Sequence, residues 1–216
     1  WVEGEVMYLS SSWADMDGDG DLDGIIAAFP ASIPSYEDRE SGVFIPGAAD
    51  ILLENTPDGF VDASHLLPDT NDGHTFLSAW ADIDGDLQPE ILVMNDHLNA
   101  GRDNRIWAYN DGRFEDISER PGLDAKMESM GLALTDLNDD LRPDLLVTGM
   151  GELELFVSDI GSGTWIRQAT ALGLNPSDSH QSWVGWGTEF VDLDNDGTEE
   201  ALVAYGNWEL MNPEDD

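Results

Sequence analysis

The chain has 216 residues, enough for one sizeable domain or an array of smaller units. It contains no cysteine, which excludes a disulfide framework, a zinc-thiolate site and a thiol nucleophile, and no apolar run reaches the length of a membrane span. Its 46 acidic residues against 8 basic ones give a formal charge of −38, a field that repels nucleic acid and anionic membranes and favours cations or basic partners.

Such a charge by itself suggests disorder, but 41% apolar residues and eight tryptophans point to a packed core. The acidity therefore needs its own explanation. Metal-ligand chemistry supplies part of it; a saline habitat, where salt screens an acidic surface, is a second source. The N-terminus, Trp1-Val2-Glu3-Gly4, lacks both a starting Met and a signal-peptide pattern, so a mature or partial product is expected.

In chain order, the first predicted strand runs into the acidic segment Asp15–Asp23, and Gly24–Phe29 follow as a buried strand. Pro30 to Asp50 reads as an insertion. Ile51–Asn55, a turn at Pro57-Asp58-Gly59, and Phe60–Ser64 read as a β-hairpin, followed by the link Leu66-Leu67. The order then repeats. Phe76–Trp80 leads into the acidic segment Asp82–Glu90, and the strand Ile91–Met94 leaves it. A shorter insertion, Asn95 to Arg105, precedes a hairpin of Ile106–Asn110 and Phe114–Ser118 around Asp111-Gly112, with the link Gly122-Leu123. In the third unit Asp136–Asp144 is followed by Leu145–Thr148, and the hairpin Leu153–Val157 and Trp165–Ala169 turns at Gly161-Ser162-Gly163 before Gly173-Leu174. In the fourth, Trp183–Gly187, Asp192–Glu200 and Ala201–Tyr205 appear with no hairpin after them.

The four acidic segments align without gaps, their first aspartates spaced 67, 54 and 56 residues apart. One unit is strand, acidic loop, strand, link, strand, glycine turn, strand. Four antiparallel strands recurring at this period describe a propeller blade, and no long segment has a helical period. The predicted fold is all-β: a β-propeller of four-stranded antiparallel blades, forming one propeller segment over 1–216 with repeats at about 5–65, 74–120, 128–172 and an incomplete 181–216. About three and a half blades is fewer than most closed propellers need, so the chain is expected to be part of a larger propeller. Completion by neighbouring copies through strand addition is the other possibility.

The Trp-Ala-Asp-x-Asp-Gly-Asp opening at Trp13 and Trp80, the strand after each loop and the Asn…Asp-Gly-Phe hairpin resemble the FG-GAP/VCBS repeat family, which includes the integrin α-subunit propeller. The likeness is nearest to bacterial proteins with VCBS repeats and an ASPIC/UnbV segment and to animal cartilage acidic protein, and it runs from about Val6 to Trp208. It implies calcium in the loop between the first two strands of each blade. It also implies an extracellular, cell-surface or periplasmic setting and a role in adhesion or recognition. This sequence departs from the pattern: Leu87 and Leu141 replace a loop glycine, Asn138 an aspartate, and Glu90 and Glu200 the final aspartate. No ASPIC/UnbV segment is visible, so no function tied to it carries over.

The loops themselves call for a hard cation. Calcium takes about six to eight oxygen ligands in flexible geometry, and acidic side chains at loop positions one, three, five and nine can converge on it, with the carbonyl of position seven added. Loop one offers Asp15, Asp17, Asp19 and Asp23, with the carbonyl of Asp21. Loop two offers Asp82, Asp84, Asp86 and Glu90, with Gln88. Loop three offers Asp136, Asn138, Asp140 and Asp144, with Arg142, and loop four Asp192, Asp194, Asp196 and Glu200, with Thr198. Up to four Ca²⁺ are expected. An EF-hand is excluded because its bidentate Glu at position twelve is here Ile26, Val93, Val147 or Val203. The alternative is four polar turns with exposed carboxylates. Leu87 must adopt a backbone that glycine takes easily, and loop three lacks both that glycine and one charge, so it should bind most weakly.

Trp13 and Trp80 share a repeat position with Leu134 and Phe190 and read as inter-blade core rather than sugar-stacking platforms. His65, His74, His97 and His180 neither recur in register nor pair at metal-ligand spacing. Neither a nucleophile elbow nor a P-loop nor a dinucleotide fingerprint is present, so catalysis is not expected. Tyr36, Arg39, Phe44, His97, Arg102 and Arg105, in the two insertions, are the candidate binding residues. The expected function is a calcium-binding recognition or adhesion module for a protein or glycan ligand, with no membrane insertion. The alternatives are a calcium-dependent polysaccharide-active enzyme, or a structural subunit associating head to tail through the incomplete fourth blade.

Overall fold

Each unit begins with a strand of mixed polarity and continues with a second whose residues are nearly all apolar, and in the first three blades this second strand is buried on both faces. The computed structural model describes residues 6–31, 46–96, 103–119, 122, 126–174 and 183–207. They form three four-stranded antiparallel sheets and one two-stranded sheet, each in simple sequential order. The fold is a β-propeller of such blades, as the repeat predicts.

Blade one contains β1 (Val6–Ala14), β2 (Asp23–Pro30), β3 (Ile51–Glu54) and β4 (Val61–Asp62), and blade two β5 (Thr75–Ala81), β6 (Glu90–Asn95), β7 (Arg105–Asn110) and β8 (Arg113–Asp116). Blade three contains β9 (Ser129–Thr135), β10 (Asp144–Gly149), β11 (Leu153–Asp159) and β12 (Thr164–Arg167); β13 (Trp183–Val191) and β14 (Glu200–Asn207) make the fourth sheet. The chain divides into two compact units, Trp1–Arg120 and Pro121–Asp216.

In the first unit β1 and β2 pack on β5. Met16, Ile25, Leu52, Ala63 and Leu67 of blade one meet Ile91, Val93, Trp107 and Phe114 of blade two in one buried cluster, with Trp80 and Tyr109 against it. The Trp80 indole N–H donates to the Ser12 carbonyl at 3.1 Å. In the second unit β13 packs on β9 and β10. Ala133, Leu146, Leu153, Leu155 and Ala169 form its cluster, covered by Phe190 and Val203. Trp80 and Phe190 are thus inter-blade core, the role their repeat position predicts.

Two local features go beyond the sequence reading. The first strand of every blade carries a bulge at the same repeat position, where the register shifts across Leu9, Phe76, Met130 and Trp186. Ala169, expected at the end of a strand, instead opens a one-turn helix, α1 (Ala169–Leu172), that stops at Gly173 with φ 70°. Left-handed glycine is the usual way to end such a turn. Its counterpart in blade one is the single 3₁₀ turn Ser64–Leu66.

Candidate functional site

The four acidic loops join the first and second strands of their blades and share one hydrogen-bond pattern. The carboxylate at position one accepts the backbone N–H groups of positions five and six on its two oxygens. For Asp15 these come from Asp19 at 3.1 Å and Gly20 at 3.0 Å, and for Asp82 from Asp86 at 3.1 Å and Leu87 at 2.9 Å. Asp136 receives them from Asp140 at 2.9 Å and Leu141 at 2.8 Å, and Asp192 from Asp196 at 3.1 Å and Gly197 at 3.0 Å. The carboxylate at position five accepts the N–H of position seven: Asp21 to Asp19, Gln88 to Asp86, Arg142 to Asp140 and Thr198 to Asp196, all within 3.0 Å.

This wrapping needs left-handed backbone twice per loop. At position four it falls on Gly18, Gly85, Asp139 and Asn195, residue types that tolerate it, and at position six on Gly20, Leu87, Leu141 and Gly197. The leucines therefore take up the glycine geometry, with their side chains in solvent.

Position nine anchors the loop to the blade. Its carboxylate accepts the N–H of position two in all four: Met16 to Asp23 at 2.9 Å, Ile83 to Glu90 at 2.9 Å, Leu137 to Asp144 at 2.7 Å and Leu193 to Glu200 at 2.8 Å. Asp23 and Asp144 use their second oxygen to accept the N–H of Asn55 at 2.8 Å and of Ser158 at 2.7 Å, fastening the loop to the end of the third strand. Asp23, Glu90 and Asp144 are buried.

The structure brings three carboxylates together in three of the loops. Ligand oxygens of Asp15, Asp17 and Asp19, of Asp82, Asp84 and Glu90, and of Asp192, Asp194 and Glu200 all lie within 4.8 Å of one another. Asp23 and Asp144 lie outside such groups; the longer Glu90 and Glu200 reach into theirs. Loop three differs. Asn138 Nδ2 donates to the Ser158 carbonyl at 2.8 Å and to Asp140 Oδ2 at 3.2 Å, and Ser158 Oγ donates to the same oxygen at 2.8 Å. Protein donors there occupy what a cation would take.

The electrostatics follow from this crowding. Burial pushes the Glu90 carboxyl up to about 7, with Asp84, Asp86 and Asp82 adding to the rise and the Ile83 N–H opposing it. Burial raises Asp23 too, against the N–H groups of Asn55 and Met16. Asp21 is raised by burial and by the charges of Asp19, Asp23, Asp17 and Asp15. Three hard oxygen groups at such separations, with little positive charge near them, suit a divalent cation of calcium's class.

Of the candidate binding residues, Arg105 starts β7 and pairs with Asp116 at 3.7 Å, a tie between the third and fourth strands. Tyr36, Arg39, Phe44, His97 and Arg102 lie outside the described residues, as does His180. His74 is fully buried and His65 is exposed. A polar cluster that the sequence did not suggest lies at the opposite ends of these strands from the acidic loops: buried Asp50 accepts the Ala28 N–H at 2.7 Å and the Thr75 hydroxyl at 2.9 Å. A lone Asp before a short strand carries no pattern by which it could have been found. No helix among the described residues is long and apolar enough to cross a membrane.

Comparison with known proteins agrees with this architecture. Residues 136–203, from the first aspartate of loop three to Val203 of β14, match the family model of the FG-GAP-like repeat. No curated protein matches the sequence. Among solved structures, the exotype rhamnogalacturonan lyase YesX is similar, with a TM-score of 0.50 and 15% identity over 92% of this chain and 39% of that one. The chain therefore spans well under half the length of that protein. Residues 136–203 thus resemble an FG-GAP-like repeat, and the chain that contains them is a run of β-propeller blades.

Proposed function

We propose that the chain is a calcium-binding recognition module of a secreted or cell-surface protein, in which each ion stiffens the turn between the first two strands of a blade. The observation that carries this reading is the threefold recurrence of three carboxylates within 4.8 Å, built each time on positions one and three of the loop, with position five joining them in loop one and position nine in loops two and four. Each first carboxylate is already oriented by two backbone N–H groups, so little ordering remains to be done when a cation arrives. Loops one, two and four are the binding loops. Loop three, closed by Asn138 and Ser158, binds most weakly. The extracellular setting fits because modules of this type work where calcium is abundant, at dissociation constants of about 10⁻⁴–10⁻³ M.

Metal counting on the dialysed protein, with thermal melts in calcium and in chelator, tests the reading. One calcium ion for each of the three carboxylate groups is expected, with a large fall in melting temperature on chelation. Asp84→Asn and Asp194→Asn should each remove one ion. A protein without bound calcium and with an unchanged melt would overturn the metal sites. Recognition is tested separately, by binding of the calcium-loaded chain to glycan and matrix-protein arrays; silence across both would remove it.

A polysaccharide-active enzyme is the second reading, prompted by the fold likeness to a rhamnogalacturonan lyase. It predicts product release from acidic polysaccharides by the calcium-loaded chain. Absence of turnover across a broad panel would sink it.

A further inference from the structure

A cavity of about 340 Å³ lies at the end of blade three away from its acidic loop, and all its walls belong to the second compact unit. Lys126 and Met127 before β9, Glu152 in the turn from β10 to β11, Glu154 and Phe156 on β11 and Arg167 at the end of β12 line it. Its size falls at the lower end of small-molecule pockets, about 300–1,000 Å³, and suits a ligand no larger than a single amino acid or sugar.

The chain has 8 basic residues against 46 acidic ones, yet Arg167 and its only lysine, Lys126, both stand on this cavity. Arg167 faces Phe156 across the β11–β12 ladder, and its guanidinium carbon lies 5.4 Å from the centre of that ring. Such a contact holds a cation at the wall. Glu154 is held as well: its Oε1 accepts the N–H of Leu155 at 3.2 Å and of Ala169 at 3.3 Å. Alternate residues of a strand share a face, so Glu154, Phe156 and Arg167 stand on the same side of the sheet. Glu152 keeps contact with solvent, but partial burial raises its carboxyl. The Glu128 N–H opposes that rise, the charges of Glu128 and Glu154 add to it, and Arg167 pulls the other way. A positive group entering beside Glu152 would relieve this crowding.

We propose that this cavity binds a free α-amino acid with an apolar side chain. Lys126 and Arg167 take its carboxylate, Glu152 and Glu154 its ammonium, and the buried Phe156 and Met127 receive its side chain. Charge selects the class of ligand. A net anion meets the field of a molecule charged at −38, and a net cation meets Lys126 and Arg167. A zwitterion carries no net charge for the field to repel and offers each wall its opposite. Charge-assisted hydrogen bonds at both ends then fix its orientation, which an uncharged ligand of the same size would not achieve. No carboxylate of the acidic loops lines the cavity, so the site stands apart from the calcium reading.

Isothermal titration calorimetry of the 216-residue chain with L-leucine at neutral pH tests this. The comparison ligands are N-acetyl-L-leucine, which lacks the ammonium, and L-leucinamide, which lacks the carboxylate. L-leucine should bind, and each derivative should bind at least about tenfold more weakly, the effect of losing one hydrogen bond to a charged group. Lys126→Gln should weaken L-leucine and leave L-leucinamide as it was. Glu152→Gln should weaken L-leucine and leave N-acetyl-L-leucine as it was. Both side chains are open to solvent, so the fold tolerates either exchange. Variants that weaken all three ligands alike would overturn the assignment of the two ends, because a disturbed pocket shows no such selectivity. Absence of binding by L-leucine, L-methionine and L-phenylalanine at millimolar concentration overturns the proposal. Equal binding of L-leucine and its two derivatives overturns it as well, since the cavity would then read the side chain alone.

Discussion

At position six of the acidic loops the backbone is left-handed in all four copies, with φ of 97° at Gly20, 73° at Leu87, 67° at Leu141 and 91° at Gly197. An L-residue with a Cβ pays about 1–2 kcal/mol for this conformation, and a leucine in solvent recovers none of it through packing. Leu87→Gly and Leu141→Gly should therefore each stabilise the protein, by roughly 0.5–1 kcal/mol once the greater freedom of glycine in the unfolded chain is subtracted. A rise of a few degrees in melting temperature, in chelator so that metal affinity does not contribute, is the expected reading. Asp50 poses a different problem. Burial raises its carboxyl from 3.8 to about 7, the Ala28 N–H and Thr75 hydroxyl only partly opposing the shift. Between those two values the folded state holds a proton that the unfolded state releases, so stability falls as pH rises through this window. Asp50→Asn imitates the protonated carboxyl. It should be near neutral in urea unfolding at pH 4 and more stable than the parent at pH 8; an equal effect at both would mean that Asp50 is charged throughout.

Among elements, the loop and the strand after it act as one piece because the position-nine carboxylate belongs to both. Asp144 accepts Leu137 N–H and Ser158 N–H, so it joins the loop, β10 and β11. Asp144→Ala leaves the buried Ser158 N–H without an acceptor, at a cost of about 1–3 kcal/mol, and the part-buried Leu137 N–H at a smaller one, so a loss of about 2–4 kcal/mol is expected in chelator. Asp144→Asn, which keeps one acceptor, should lose about half as much. Equal stability of parent and Asp144→Ala without metal would show that the carboxylate serves only a cation. The bulge in β1, β5, β9 and β13 is the other element-scale device. A bulge bends and twists its strand. Leu9, Phe76, Met130 and Trp186 have nothing in common but apolar bulk, so no residue pattern announces the bulge, although each fills the same place in the repeat.

For the molecule as a whole, charge is the quantity to test. The formal charge of −38 stores repulsion in the folded state, and the loops concentrate part of it within a few ångström. Raising ionic strength from about 0.15 to 1 M shortens the screening length from about 8 to 3 Å, so stability should rise steadily with sodium chloride. The rise should be larger in chelator than in calcium, because bound divalent ions relieve the closest repulsions first. Melts across a salt series in both buffers check this. Identical slopes would place the repulsion outside the loops.

The sequence by itself determined the blades and the loops. A gapless acidic motif repeated four times, apolar runs after it and Asp-Gly hairpins behind it state which segments are strands, in what order they pair, and which turns crowd carboxylates. These are local or periodic properties, and the chain displays them without folding. Tertiary structure decided what depends on a second segment arriving. Asp23 and Asp144 resemble the other acidic residues of their loops, yet the N–H groups of Asn55 and Ser158 engage their second oxygens. Asn138 differs from an aspartate by one atom, but only the approach of Ser158 turns loop three into a closed network. Trp13 and Trp80 open the same motif in the same words, yet Trp80 packs against the buried cluster shared by the first two blades and Trp13 keeps 44% of its surface exposed. Burial is a relation between segments, and a residue acquires it only when its neighbour is in place.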